Sequence, residues 1–96
     1  MTGIELIEKE RYEQVVKHGR TIEKDIFYNS KNQLSTAASI LCMESIGCIE
    51  PQEFAEESLE GWNTALFEKM FDKPYEKRLI IAGALIAAEL DRLQNM

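Results

Sequence analysis

Histidine and tryptophan occur once each, and cysteine and proline twice each, among 96 residues. Each scarcity removes a class of explanation. With His18 as the single histidine, a zinc centre shared with Cys42 or Cys48 has no support. Two cysteines cannot staple a small secreted fold. On a helix, Cys42 and Cys48 face roughly opposite sides, so both are expected as reduced thiols in the core. The glycines are scattered at 3, 19, 47, 61 and 83, so no glycine-rich phosphate loop exists. A Ser-His-Asp triad is recognised by geometry, and residue presence alone does not argue for one. There is no internal repeat and no low-complexity segment.

Positive charge is also short. Eleven Lys and Arg against 17 Asp and Glu leave a net charge of −6. No basic patch stands out to displace counterions from a phosphate backbone, so nucleic acid is not an expected partner. Lys73, Lys77 and Arg78 are expected as surface charge. No apolar run reaches ~18 residues, so no membrane-spanning helix is expected. Glu5 and Glu8 interrupt any leader-like opening, and the chain is expected in the cytoplasm. The length suits one domain, residues 1–96, with a modest core. A hydrophobic fraction of 45% is that of a globular chain.

What is present is helical periodicity. Thr2 or Gly3 can cap a first helix running to about His18, with Gly19 in the left-handed region after it. Residues 20–31 are expected as a loop or irregular turn. Phe27 and Tyr28 tuck it onto the core, and Asp25 stands where it can fold back over the first helix. A second helix is expected from about Asn32 to Ile46, ended by Gly47, with Leu34, Ala37, Ala38, Leu41 and Cys42 as its buried stripe. Pro51 suits a first helical position, opening a short piece through Phe54 to Leu59. A third helix covers about Trp62 to Phe71 and buries Trp62, Leu66 and Met70. Pro74 opens the last helix, Tyr75 to Gln94. Between Leu79 and Ala88 that helix has no polar face, which predicts burial on all sides. Its surplus apolar surface predicts a homo-oligomer formed through residues 79–93, with Gly83 and the alanines allowing close approach. The expected fold class is all-α, a four-helix-bundle-like domain.

The first helix breaks the pattern. At ~100° per residue, Ile4, Ile7 and Val15 share a side with Arg11, Gln14 and His18, and Glu10 lies at its edge. Burying such groups unpaired costs ~1–3 kcal/mol each. They meet partners inside the fold, or they line a cleft. Glu10 and Glu13 form an ExxE pair one turn apart, a spacing that can hold a hard cation such as Mg²⁺. The same pair can instead be solvated, with Arg11 bridged to another helix. Glu89 lies beside the stripe of Leu79, Ala82, Ile86 and Leu93. It is the expected partner of Arg11, or a third carboxylate for the cation.

The order Glu10-Arg11-x-x-Gln14, His18-Gly19-x-Thr21, Asp25, Leu34-x-x-Ala37-Ala38 resembles a family of small phage and prophage proteins. The closing run from Arg78 to Leu93, and Trp62 followed by Lys73-Pro74, are similar to the same family. Its helix layout is similar to that of MazG-like all-α nucleoside triphosphate pyrophosphohydrolases. The resemblance implies Mg²⁺-dependent cleavage of a nucleotide between its α and β phosphates, and an oligomer. It makes Glu10 and Asp25 the candidate catalytic carboxylates. Arg11, Gln14 and His18 become the candidate substrate-binding groups, and Glu10, Glu13 and Glu89 the candidate metal ligands. The chain departs from the family at Arg20, where a Trp is usual, and at Lys24-Asp25-Ile26, where a His-Asp-Asp run is common. The EExxE and ExxD motifs of MazG-like enzymes are absent. The rival expectation is a non-enzymatic phage accessory protein that acts by protein–protein interaction, with Arg11, Gln14 and Glu89 as a structural network.

Overall fold

A computed structural model of the chain describes residues 1–43 and 50–96. The described residues form six helices: α1 Gly3–Val16, α2 Ile22–Tyr28, α3 Gln33–Leu41, α4 Pro51–Ser58, α5 Thr64–Phe71 and α6 Tyr75–Gln94. The domain is all-helical there, but its layout is not that of four long helices. Two long helices, α1 and α6, are joined by four short ones, and α6 touches α1, α2, α3 and α5.

Local signals set most of the boundaries. Thr2 closes a capping box: its hydroxyl accepts from the Glu5 N–H, and the Glu5 carboxylate accepts from the Thr2 N–H at 2.9 Å. Those hydrogen bonds hold the exposed Glu5 carboxyl below its ordinary value. α1 ends at Val16, two residues earlier than expected. Gly19 adopts φ +65° in the turn that follows, while the Arg20 N–H reaches the Gln14 carbonyl.

The expected loop over residues 20–31 is instead largely helix α2. Thr21 caps it by accepting from the Lys24 N–H, and Asn29 is its C-cap. Phe27 and Tyr28 stack edge-to-face on each other and are exposed, so they do not close onto the core. The second expected helix, α3, begins as anticipated but ends at Leu41. Cys42 is its exposed C-cap, not a core thiol. The expectations for Ile46, Gly47 and Cys48 lie outside the described residues. Pro51 takes the first position of α4, as its sequence context predicts.

The core is an α3–α6 seam. Leu34, Ala37, Ala38 and Leu41 meet Ile81, Ala82, Leu85 and Ala88, and all eight are buried. The alanines keep the two backbones close. Phe67 of α5 fills the remaining space with no exposure, flanked by Phe54 at 5.8 Å and Trp62 at 6.4 Å. That register differs from expectation. α5 starts after its Asn63 cap, Trp62 precedes it, Leu66 is half exposed, and the buried position is Phe67.

α6 also departs from expectation. Leu79, Ile86, Leu90 and Leu93 are exposed. The short helices cover one side of α6 and leave its outer face uncovered. No described helix is long and apolar enough to cross a membrane.

α1 is seated by one close approach. A β-carbon added at Gly83 would lie 2.5 Å from Ile7 Cδ1 and 2.8 Å from Ile7 Cγ1. An alanine in a helix is ordinarily favoured over glycine by ~1 kcal/mol. Here the gain is outweighed, because Ile7 is stiff at its branched carbon. Gly83→Ala is expected to destabilise the fold by ~1–3 kcal/mol in urea titration. Combined with Ile7→Ala, it should cost less than the sum of the two single changes.

Candidate functional site

α1, the turn at 17–21 and α2 face α5 across a groove with two lobes. The larger, about 380 Å³, lies between α1 and the α5–α6 corner. The smaller, about 260 Å³, lies between α2 and the Gly61–Asn63 turn. His18, Arg20, Leu66 and Met70 line both and form the boundary.

The larger lobe holds Glu10, Glu13 and Gln14 of α1 and His18 of the turn that follows it, all four of them candidate site residues by sequence. Opposite them stand Lys69, Lys73 and Lys77, with Arg20 at the boundary. Four of the chain's 11 Lys and Arg thus line one lobe of an acidic protein. Lys69 and Lys73 are exposed, while Lys77 donates to Glu10 at 2.8 Å. Glu13 makes no ion pair among the described residues. Gln14 is buried, and its Oε1 has no hydrogen-bond partner among the described residues.

Arg11 does not meet Glu89. One of its nitrogens donates to the Arg20 carbonyl and another reaches Asp91 Oδ2, each at 3.4 Å. Glu89 is taken by Arg92 three residues further along α6, in a buried pair. Arg11 therefore ties the 17–21 turn to α6, outside the groove lining. Among the described residues, no three His, Cys, Asp or Glu side chains gather to hold a metal. Glu10 and Glu13 share the larger lobe; Glu89 lines neither lobe.

Asp25 stands in the smaller lobe and is 3% exposed. A short relay fixes it. The Trp62 indole N–H donates to Asn29 Oδ1 at 2.7 Å, and Asn29 Nδ2 donates to Asp25 Oδ1 at 2.9 Å. Asp25 Oδ2 has no hydrogen-bond partner among the described residues. Burial pushes the Asp25 carboxyl above its ordinary value. The Asn29 hydrogen bond and the Arg11 and Arg20 charges oppose that rise, and the Glu89 charge adds to it. Arg20 is drawn the other way. Burial lowers its guanidinium, and Asp25 and Glu10 hold it up. Its guanidinium lies 5.9 Å from the centre of the Trp62 ring, within cation–π range.

The chain matches no protein-family model, and neither curated proteins nor solved structures yield a match to it. The groove is therefore read from its own chemistry. Its polar α1 residues and Asp25 were marked by sequence. Trp62 was marked as a buried residue, and Lys73 and Lys77 as surface charge. Arg20, Asn29 and Lys69 were not marked as site residues. The available signal was the 69–73–77 spacing, which repeats every four residues.

The Asp25 shift sets a pH test. The folded state holds this proton more tightly than the unfolded chain, whose carboxyl titrates near 3.8. The associated stability is present below that value and is lost as pH rises through the higher, folded value. Asp25→Asn removes the loss. The variant is expected to have a higher Tm than the natural chain at pH 7, and the gap should close below about pH 4. A gap independent of pH would contradict the assignment.

Proposed function

We propose that the groove binds a nucleotide, with its phosphates in the larger lobe and its base in the smaller. The observation that carries this reading is the convergence of Arg20, Lys69, Lys73 and Lys77 on one lobe of a chain with net charge −6. Cations gathered against the overall charge favour a compact anion over a nucleic-acid backbone. The adjoining lobe supplies an aromatic side chain, an apolar wall at Leu34 and Phe67, and amide groups at Asn29 and Asn63. Pockets of this kind combine apolar walls with a few placed polar groups. The resemblance to MazG-like proteins supports the same ligand class and a helical fold of that kind.

The ammonium groups of Lys69 and Lys73 would offset phosphate charge directly. Glu10 and Glu13 suit the usual mode of Mg²⁺, which takes one or two carboxylates together with substrate phosphates and keeps several waters. Glu10 would have to give up its Lys77 ion pair to bind the ion, and Glu89, which lines neither lobe, does not suit it. When bound, the ion would neutralise phosphate charge and acidify a water. Of the two carboxylates expected to be catalytic, Glu10 borders the phosphate lobe and Asp25 the base lobe.

Calorimetry and thermal shift with nucleoside triphosphates, with and without Mg²⁺, test the reading. At least one nucleotide is expected to raise Tm. The double variant Lys69→Ala/Lys73→Ala should weaken its binding by tenfold or more, since each charge-assisted contact is worth ~1.5–3 kcal/mol. Both side chains are exposed, so the fold should be little affected. A flat response across the panel would refute nucleotide binding.

A second reading, association through α6, rests on a separate observation. At ~100° per residue, Leu79, Ile86, Leu90 and Leu93 fall within a ~60° arc, and all four are exposed. An apolar stripe along a helix is an association surface. A second copy meeting the same stripe would bury it symmetrically. Leu90→Lys is expected to convert a sedimenting dimer to monomer and to leave nucleotide binding in place. A natural chain that stays monomeric at high concentration would exclude this reading.

A further inference from the structure

The smaller lobe contains one group that the fold orients and does not use. Asp25 is held at Oδ1 by Asn29, which is itself held by the Trp62 indole. The relay fixes which oxygen is committed and which is free. Oδ2 is closed off from solvent and has no hydrogen-bond partner among the described residues. A buried carboxylate oxygen without a donor is costly, and native structures contain few such groups. Asp25 itself lines the lobe together with Trp62, Leu66 and Met70, which points to a donor brought by a flat, partly apolar ligand.

Building on the proposed nucleotide site, we infer that the Asp25 lobe recognises a guanine base through its ring N–H and exocyclic amine. The argument runs from the acceptor pattern. An ionised carboxylate only accepts, and it can accept from two neighbouring N–H groups at once. Guanine presents a ring N–H and an amino group side by side. Uracil presents one N–H between two carbonyls, which an ionised carboxylate disfavours. Adenine and cytosine each place an amine beside an unprotonated ring nitrogen, which would meet Asp25 acceptor to acceptor. Oδ2 would take one donor, and Oδ1, which Asn29 occupies on one side only, can take the second.

Arg20 lines both lobes and lies close enough to Asp25 to act on it electrostatically. Its guanidinium thus neighbours both the proposed base and the proposed phosphates. Arg20 then couples the filling of the two lobes, and phosphate-bearing guanine compounds should bind better than guanosine by more than the lysines alone explain.

Titration calorimetry with GTP, ITP, ATP, CTP and UTP tests the assignment. ITP keeps the ring N–H and lacks the exocyclic amine, so it isolates the second donor. GTP is expected to bind at least tenfold more tightly than ITP and than each of the others. A site built to hydrogen-bond a group rejects ligands that lack it strongly. Asp25→Asn should reduce the GTP/ITP ratio to near one, while Lys73→Ala weakens both by the same factor and keeps the ratio. Equal binding of all five, or a preference for another base, would overturn the guanine assignment and leave the phosphate lobe standing. No binding by any of the five would overturn the nucleotide site itself.

Discussion

The seating of α1 on α6 is the constraint on which the rest of the structure depends. α1 has little apolar surface to offer. Ile4 and Val16 are exposed, and Ile7 is the side chain that enters α6, at Gly83. Two polar links complete the contact, Arg11 to Asp91 and Lys77 to Glu10, and Arg11 also holds the Arg20 carbonyl of the following turn. An exposed ion pair contributes only ~0–1 kcal/mol, so the Ile7–Gly83 approach sets where α1 lies and the polar links set its rotation. That placement brings Glu10, Glu13 and Gln14 to face the lysines of α5 and its following turn.

The groove that results is less satisfied than the rest of the protein. The two buried side-chain oxygens without partners among the described residues, Gln14 Oε1 and Asp25 Oδ2, belong to residues that line its two lobes. The α3–α6 seam, by contrast, is built of leucine, isoleucine and alanine, and carries no such cost. Stability and the polar site are thus held in different parts of a small domain. The core cluster draws on α3, α4, α5 and α6 and holds neither of the unpaired groups.

How much of this was legible in the sequence depended on whether a signal was local. α6 was read with its true bounds, because Pro74 marks its start and no break follows. α4 was read from Pro51 in the same way. α2 was missed because seven residues are too few to show a helical period, and its Thr21 cap lacks a reciprocal acid. Arg11, Gln14 and His18 were legible as polar groups where apolar ones were due, and Asp25 only through the family resemblance. The pairing of Arg11 with Asp91 and not Glu89 was not, since those two α6 positions lie ~160° apart around the helix and only the crossing of α1 selects between them. Nor was the role of Lys69 and Lys73. A lysine on α5 and another in the turn after it look like ordinary solvated charge until α1 is placed opposite them.

The central claim is that one groove, lined by α1, α2 and α5, takes a phosphate-bearing ligand. A ¹H–¹⁵N NMR titration of the chain with GTP tests it most directly, because it reports every amide and the Trp62 indole together. The account predicts saturable shifts at the Trp62 indole N–H, the Asn29 side-chain amide, and the backbone of Gln14 to Arg20 and Lys69 to Lys73. The α3–α6 seam and the outer face of α6 should not move. Shifts confined to the outer face of α6, or none at the Trp62 indole and the 14–20 segment, would contradict it.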